Sequence, residues 1–347
     1  MTKANCTTIG IDIGKNTFHL IGFDDRGSIV LRQKLSRNQL GRRVVNMAGC
    51  VIGMEACAGA HHIGRQLASW GHDVRLMPAK YVKPFLKGHK NGDRDAEAIA
   101  EAVGRPTMRF VPLKSADQLD LQALHRVRRR LIGQWTAVIN QIRGFLLGHG
   151  LTVRQGPAWL RRVLPDILAQ HSDVLSPRMV RLTEGLTDEW RRLDARIDAV
   201  TSEIKATASQ DADCRRLMGS PGIGPIIASA MVAAIGDGSA FAKGRDFGAW
   251  LGMVPKQRST GDRTILGGIS KRGNRYLRTL FIQGARAVLL RRESWAKHGF
   301  GPWLGAASKR LHRNVLAVAL ANKLARIAWS VLAKGRSYEP ALGAQSA

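Results

Sequence analysis

The sequence predicts an α/β domain followed by a mainly α-helical remainder, and three observations carry that prediction. Short β-branched runs alternate with helical patterns up to Pro106, with three strands ahead of any helix. From Ser115 to about Ser209 strand signals thin out. Apolar residues there recur at helical spacing, as in Leu121, Leu124, Val127 and Leu131, and later Leu182, Trp190, Leu193, Ile197, Val200 and Ile204. Beyond Leu217 a hairpin rich in glycine and proline opens a third, basic segment.

In chain order, residues 7–13 and 17–23 read as strands, Asp24-Asp25-Arg26-Gly27 as a turn and residues 29–33 as a third strand, all antiparallel. An Arg-rich helix at 38–47 follows, then a strand at 51–54, a helix at 63–70, a strand at 72–76 and helices beyond Ala79. Three strands and then alternating helix and strand is the ribonuclease H-like arrangement. The next segment reads as long antiparallel helices, coiled-coil-like. Its residues 126–130 and Trp135 offer either a nucleic-acid contact or a solvated helix face.

In the third segment Met218-Gly219-Ser220-Pro221-Gly222-Ile223-Gly224-Pro225 precedes an apolar helix to Ile235, the pattern of a helix-hairpin-helix. Backbone N–H groups at Gly222 and Gly224, at a helix start, can hold a phosphate. Residues 251–278 read as a basic loop, 276–291 and 315–332 as helices, and 337–347 as a disordered tail. The expected domains are 1–110, a helical connector 111–210, and a basic C-terminal domain 211–336.

The chain carries 54 Lys and Arg against 26 Asp and Glu, a net charge of +28. Residues 256–336 alone hold 18 basic and 2 acidic side chains, a self-repelling surface that calls for a polyanionic partner. Nucleic acid is that partner, with contacts expected from Lys256, Arg258, Thr260, Arg263, Lys271, Arg272, Arg275 and Arg278. Cys6, Cys50, Cys57 and Cys214 give no zinc pattern and read as buried small hydrophobes of a reducing compartment. The longest uncharged stretch, 217–236, is broken by Pro221, Gly222, Gly224 and Pro225, so no membrane span is expected. The polar start leads straight into a strand, so no signal peptide is expected and the protein is read as cytoplasmic.

Two carboxylates stand at strand ends: Asp12 in Ile9-Gly10-Ile11-Asp12-Ile13-Gly14, and Glu55 after the strand at 51–54. In a ribonuclease H-like sheet these strands are neighbours, and two acids at one edge can hold magnesium through oxygen ligands. Asp93 and Asp95, in Lys90-Asn91-Gly92-Asp93-Arg94-Asp95-Ala96-Glu97, are candidates to complete a site for two ions about 4 Å apart. Acids in a first helical turn are also favoured by the helix dipole without any metal. A strand ending in Asp-x-Gly occurs in actin-like kinases too, but the second half shows neither their further phosphate loop nor an adenosine pocket.

The segment Ala249-Trp250-Leu251-Gly252-Met253-Val254-Pro255-Lys256-Gln257-Arg258-Ser259-Thr260-Gly261 sets hydroxyls among guanidinium groups. It leads into Leu266-Gly267-Gly268-Ile269-Ser270-Lys271-Arg272-Gly273-Asn274-Arg275-Tyr276-Leu277-Arg278. A hydroxyl so placed suits either binding of a phosphodiester or attack on it.

Across nearly its whole length the chain resembles the insertion-sequence 110 family of transposases, and within it the 1111 subgroup. The likeness rests on Gly10-Ile11-Asp12-Ile13, Met54-Glu55-Ala56-Cys57, Asp95-Ala96-Glu97-Ala98-Ile99, Arg105-Pro106-Thr107-Met108-Arg109-Phe110-Val111, Pro221-Gly222-Ile223-Gly224-Pro225 and the serine segment. It implies a RuvC-like Asp-Glu-Asp-Asp domain, a helical connector and a C-terminal domain with a nucleophilic serine. By motif match Asp12 and Glu55 take the first two acidic positions and Asp95 the fourth. Ser259 is the nucleophile, with Thr260 as the other candidate. The resemblance further implies site-specific recombination of double-stranded donor and target DNA through a covalent phosphoserine, Mg2+ (two ions) held by the acids, a structured guide RNA, and dimers assembling to tetramers on the nucleoid.

One departure stands out. The family spaces its last two aspartates three apart, and here the residue three before Asp95 is Gly92. Either Asp93, two residues away, lies just before the helix and bends into the site, or one ligand is missing. On this geometry Gly92→Asp should raise recombination. Two other functions fit the residues: a junction-resolving nuclease in which water attacks, and a non-catalytic nucleic-acid-binding remnant.

Overall fold

The computed structural model describes residues 6–89, 91–171 and 173–340. The first five residues of the polar start, Lys90 of the acidic block and residues 341–347 of the expected tail lie outside the described residues. The chain divides into two compact units, Met1–Leu119 with Gly238–Ala242, and Asp120–Asp237 with Lys243–Ala347.

The first unit is built on β1 (Thr8–Ile13), β2 (Thr17–Phe23), β3 (Ile29–Ser36), α1 (Arg37–Val44), β4 (Val51–Glu55), α2 (Ala60–Ser69), β5 (Asp73–Met77), α3 (Ala79–Val82) and α4 (Gly92–Val103). The sheet order is β3-β2-β1-β4-β5, antiparallel among the first three strands and parallel from β1 through β4 to β5. This is the mixed α/β arrangement the sequence pattern predicts. Alternation divides the sheet's two faces. Ile9, Ile11, Phe18, Leu20, Ile52 and Met54 pack with Leu40, Val44, Ile63 and Leu67 of α1 and α2. The opposite face takes α4, whose Ala98, Ile99, Ala102 and Val103 join Met77 and Val82 in a second cluster.

Two glycines let α4 press directly on that face. A Cβ at Gly10 would lie 2.1 Å from the Ala96 carbonyl oxygen, and one at Gly53 would lie 2.8 Å from the Val103 Cβ. Strand and helix backbones therefore touch where side chains would otherwise hold them apart.

The second unit contains most of α5 (Ala116–Gly148), with α6 (Pro157–Gln170), α7 (Pro177–Gln210), α8 (Ala212–Met218), α9 (Pro225–Ile235) and α10 (Gly244–Trp250). A hairpin of β6 (Pro255–Thr260) and β7 (Arg263–Ile269) follows, then α11 (Arg275–Leu290), α12 (Gly301–Arg310) and α13 (Arg313–Ala333). Leu131, Ile139, Ile142 and Leu146 of α5 pack with Leu160, Leu164, Trp190 and Leu193 in a helical core. Val127 and Leu182, expected on the buried stripe, are exposed. Trp135 is partly buried against this core: its indole N–H donates to Asp194 Oδ1 at 2.8 Å, and its ring meets Trp190 edge-on.

The helix α13 is long and apolar enough to cross a membrane by length and composition. Its Leu316, Leu320, Leu324, Ala328 and Leu332 are buried, and it packs on α8, α10 and α11 as a core helix.

The basic loop expected at 251–278 is instead largely the β6–β7 hairpin, closed by Gly261-Asp262 with Gly261 at φ +55°. Every residue of β6 is exposed, as is every residue of β7 up to Gly268. With no buried face there is no apolar alternation for the sequence to display. Cys57 is exposed, against the expectation of four buried cysteines, while Cys6, Cys50 and Cys214 are buried.

Candidate active site and nucleic-acid interface

Asp12 and Glu55 emerge at one edge of the first unit's sheet. Ile11 pairs with Met54 in the parallel β1–β4 ladder, so the next residue on each strand is a carboxylate. Gly10 and Gly53, two residues earlier, face α4, and by the period of two Asp12 and Glu55 rise on that same face. Both charges reach one further group, the exposed Cys57. Burial raises its thiol pKa most, and the Glu55 and Asp12 carboxylates raise it further.

The start of α4 arrives at the same edge. Asn91 caps it, accepting from the Arg94 N–H at 2.8 Å, so Gly92 is the first helical residue and Asp93 lies inside the helix rather than before it. Asp93 leans towards β2 and β3: its Oδ1 is 2.6 Å from His19 Nδ1 and its Oδ2 is 3.9 Å from Arg32 Nη1. Asp95, half-buried, lies about 200° further round the helix from Asp93. His19 is the residue the sequence reasoning missed. It is the direct cross-strand partner of Asp12, and a Cβ at Gly92 would lie 2.4 Å from its Cδ2 and 2.6 Å from its Nε2. The space a side chain at position 92 would need is thus filled by the imidazole. Gly92→Asp therefore requires the His19 imidazole to move before the added carboxylate can be accommodated.

Among the described residues no three His, Cys, Asp or Glu side chains converge as a ready-made metal cage. Magnesium does not require one, since it keeps several waters and takes one or two carboxylates together with substrate phosphates. Asp12 and Glu55, near the ends of adjacent parallel strands, fit that donor set.

In the second unit, Ser259 pairs with Thr264, and Thr260 with Arg263. Gln257 Nε2 donates to Ser259 Oγ at 2.8 Å, and the serine hydroxyl donates to Thr264 Oγ1 at 3.5 Å. Directly opposed residues share a face, so Gln257, Ser259, Thr264 and Leu266 lie on one side and Arg258, Thr260, Arg263 and Ile265 on the other. The guanidinium groups expected beside the hydroxyl are therefore on the reverse of the hairpin. Lys256, Arg258 and Arg263 are exposed, as are Lys271, Arg272 and Arg275 ahead of and at the start of α11.

Arg278 is not on that surface. It is 8 % exposed, and its Nη1 donates to the carbonyls of Leu251 at 2.7 Å and Arg272 at 3.2 Å, so the guanidinium ties the hairpin's flanks together. Gly222, at φ +69°, packs on α11, where a Cβ would lie 2.8 Å from the Gly284 oxygen, while Gly224 is exposed at the start of α9.

Comparison with known proteins finds matches in both halves of the chain. Residues 9–150 match a family model described as "Transposase", of the DEDD type of IS110 elements, and residues 214–300 match "Transposase IS116/IS110/IS902 family". The chain is 44% identical to a "Probable family 20 transposase" of Pseudomonas aeruginosa over 337 residues, 97% of this chain and 99% of the relative. It is 42% identical to the "Transposase for insertion sequence element IS1328" of Yersinia enterocolitica, over 96% of this chain and 99% of that one. It is 41% identical to the "Transposase for insertion sequence element IS1111A" of Coxiella burnetii, over 95% and 90%. With acids at the sheet edge and a serine on a basic hairpin both inside matched regions, the chain belongs to the IS116/IS110/IS902 family of insertion-sequence transposases, beside its IS1111-type members.

Proposed function

We propose that this transposase cuts and rejoins DNA through a covalent phosphoserine at Ser259, with Asp12, Glu55 and Asp95 as the magnesium-binding acids. The observation that carries the reading is that Asp12 and Glu55 directly follow the paired Ile11 and Met54 on adjacent parallel strands, on one face and at one edge. In this scheme residues 1–110 bind metal, 111–210 connect, and 211–336 carry the nucleophile.

Ser259 Oγ attacks the phosphorus. A bond from oxygen to phosphorus forms while the bond to one sugar oxygen breaks, and that oxygen leaves as a hydroxyl after taking up a proton. The serine's own proton goes to solvent or to a base brought by the substrate complex, because neither the Gln257 amide nor the Thr264 hydroxyl is a base. Attack by the hydroxyl of a second strand reverses the step, releases the serine and joins new ends. Magnesium, when bound, supplies charge stabilisation at the phosphate oxygens. A structured RNA from the element selects the donor and target duplexes, and dimers pair into tetramers.

One observation favours a second reading: among the described residues the hydrogen-bond partners of Ser259 include no base, which suits a nuclease in which water attacks. Incubating the protein with a nicked element-end duplex separates the two. A DNA adduct that survives denaturation, and is lost in Ser259→Ala, is expected. Cleavage without an adduct, unchanged in Ser259→Ala, selects the nuclease.

A further inference from the structure

Within the second unit a groove of about 1290 Å³ runs along α13, walled by the base of the β6–β7 hairpin, the start of α10 and Trp303 of α12. Five cations stand over it, Lys243, Arg245, Lys271, Lys323 and Arg326, and no Asp or Glu is among the described residues that line it. Its floor is apolar. Val315 is 54% exposed, Val318 and Ile327 of the same helix also line the groove, and the Trp303 ring lies 4.7 Å from Lys323 Nζ.

Cations alone would suit any polyanion, but the floor narrows the choice. A second copy of a chain with net charge +28 is a poor electrostatic match for a cationic rim. Duplex DNA turns its phosphates outward and hides its base faces in the stack, so it would leave the floor uncovered. An unpaired strand offers a charged backbone and apolar base faces together.

We propose that this groove holds an unpaired DNA strand, its phosphates along the five cations and its bases against Trp303, Val315 and Val318. The source is the strand being cut. Pro255, Gly267, Gly268 and Ile269 at the hairpin's base line the groove, and Ser259 is four residues further along β6 than Pro255, about 13 Å at strand rise. A strand in the groove is therefore the one leading to the phosphate at Ser259. To that extent the inference rests on the serine reading above.

The test uses the full-length protein and fluorescence anisotropy with a labelled oligodeoxynucleotide, its duplex, and an oligoribonucleotide of the same sequence. Val315→Glu changes an exposed position in the groove, and Leu182→Glu adds the same charge at an exposed position of α7 outside it. Relative to Leu182→Glu, Val315→Glu should weaken single-stranded DNA binding about ten-fold, one base contact's worth, and duplex binding by less than about two-fold. Unmodified protein should also show tryptophan fluorescence quenched by the single strand more than by the duplex, a measurement that needs no variant. Equal losses on both DNA forms, preference for the RNA, absence of that quenching, or a change in sedimentation with single-strand binding intact would each overturn the proposal. A missing Ser259 adduct with the groove discrimination intact removes the serine reading alone. An adduct with normal binding by Val315→Glu removes the groove alone.

Discussion

His19 Nδ1 lies 2.6 Å from Asp93 Oδ1, while the edge of the same ring fills the space above Gly92. The imidazole thus commits Asp93 to β2 and closes the place where another acid would stand. Asp93→Asn should therefore cost about 1 kcal/mol or less, because the pair is partly exposed, and should lower recombination far less than Asp12→Asn. Gly92→Asp alone should destabilise the protein by about 1–3 kcal/mol, the usual cost of overpacking, with recombination reduced. His19→Ala in the same chain should relieve the collision. Urea melts and a recombination assay on Asp93→Asn, Asp12→Asn, Gly92→Asp and the Gly92→Asp/His19→Ala double variant check this, and a stable, more active Gly92→Asp single variant would refute the packing argument.

A second histidine is buried in the second unit and governs a pH dependence. His125 is 3% exposed, with Nδ1 3.0 Å from Tyr276 Oη and Nε2 3.0 Å from Ser229 Oγ. The Ser229 hydroxyl donates to the Pro225 carbonyl, so His125 Nε2–H donates to Ser229 and Nδ1 accepts from the tyrosine hydroxyl. Burial, and then the Arg128 charge, lowers its pKa from 6.5 to about 4. The unfolded chain therefore binds the proton first as pH falls. The stability held by neutral His125 is intact above about pH 6.5 and lost between there and pH 4, by roughly 3 kcal/mol in all. His125→Gln should lower Tm at pH 7.5 and flatten the fall between pH 6.5 and 4.5. A slope that persists in the variant would assign it to other groups.

The contrast between these residues and the acids shows what the sequence could express. Asp12 and Glu55 end apolar runs, and neighbouring strands in a recognisable order bring such ends together, so local pattern was enough. The tie between His19 and Asp93 spans 74 positions and depends on the β1–β2 register and on where α4 starts, neither of which leaves a local mark. The hairpin bearing Ser259 buries no side chain of β6, so it lacked the alternation by which strands are read. Arg278 belongs to a run of arginines whose other members are exposed, and only the fold of Leu251 against it distinguishes a clamp from a phosphate contact.

That distinction has separable consequences. Arg263→Ala removes an exposed cation, and should reduce the slope of log affinity against log salt by about one unit with Tm unchanged. Arg278→Gln removes a buried charged donor from two carbonyls and should cost roughly 2–3 kcal/mol, leaving the salt slope of the folded protein as it was. Titrations at several salt concentrations beside thermal melts check both, and a salt slope lowered by Arg278→Gln would return that residue to the interface.

The hairpin stands on a crossing of two glycines. Gly252 at φ +71° and Gly273 at φ +81° cross so closely that a Cβ at Gly273 would lie 1.8 Å from the Trp250 carbonyl oxygen. Only glycine tolerates that backbone and that contact together, so the crossing fixes where β6 departs and β7 returns. Gly273→Ala should cost at least about 2 kcal/mol and suppress the Ser259 adduct more than duplex binding. Gly268→Ala is the matched control, since a Cβ there meets nothing within 4 Å. Hydrogen exchange across residues 255–269 should quicken in the first variant and not in the second. The same exchange rates in both would mean that the hairpin holds its position without the crossing.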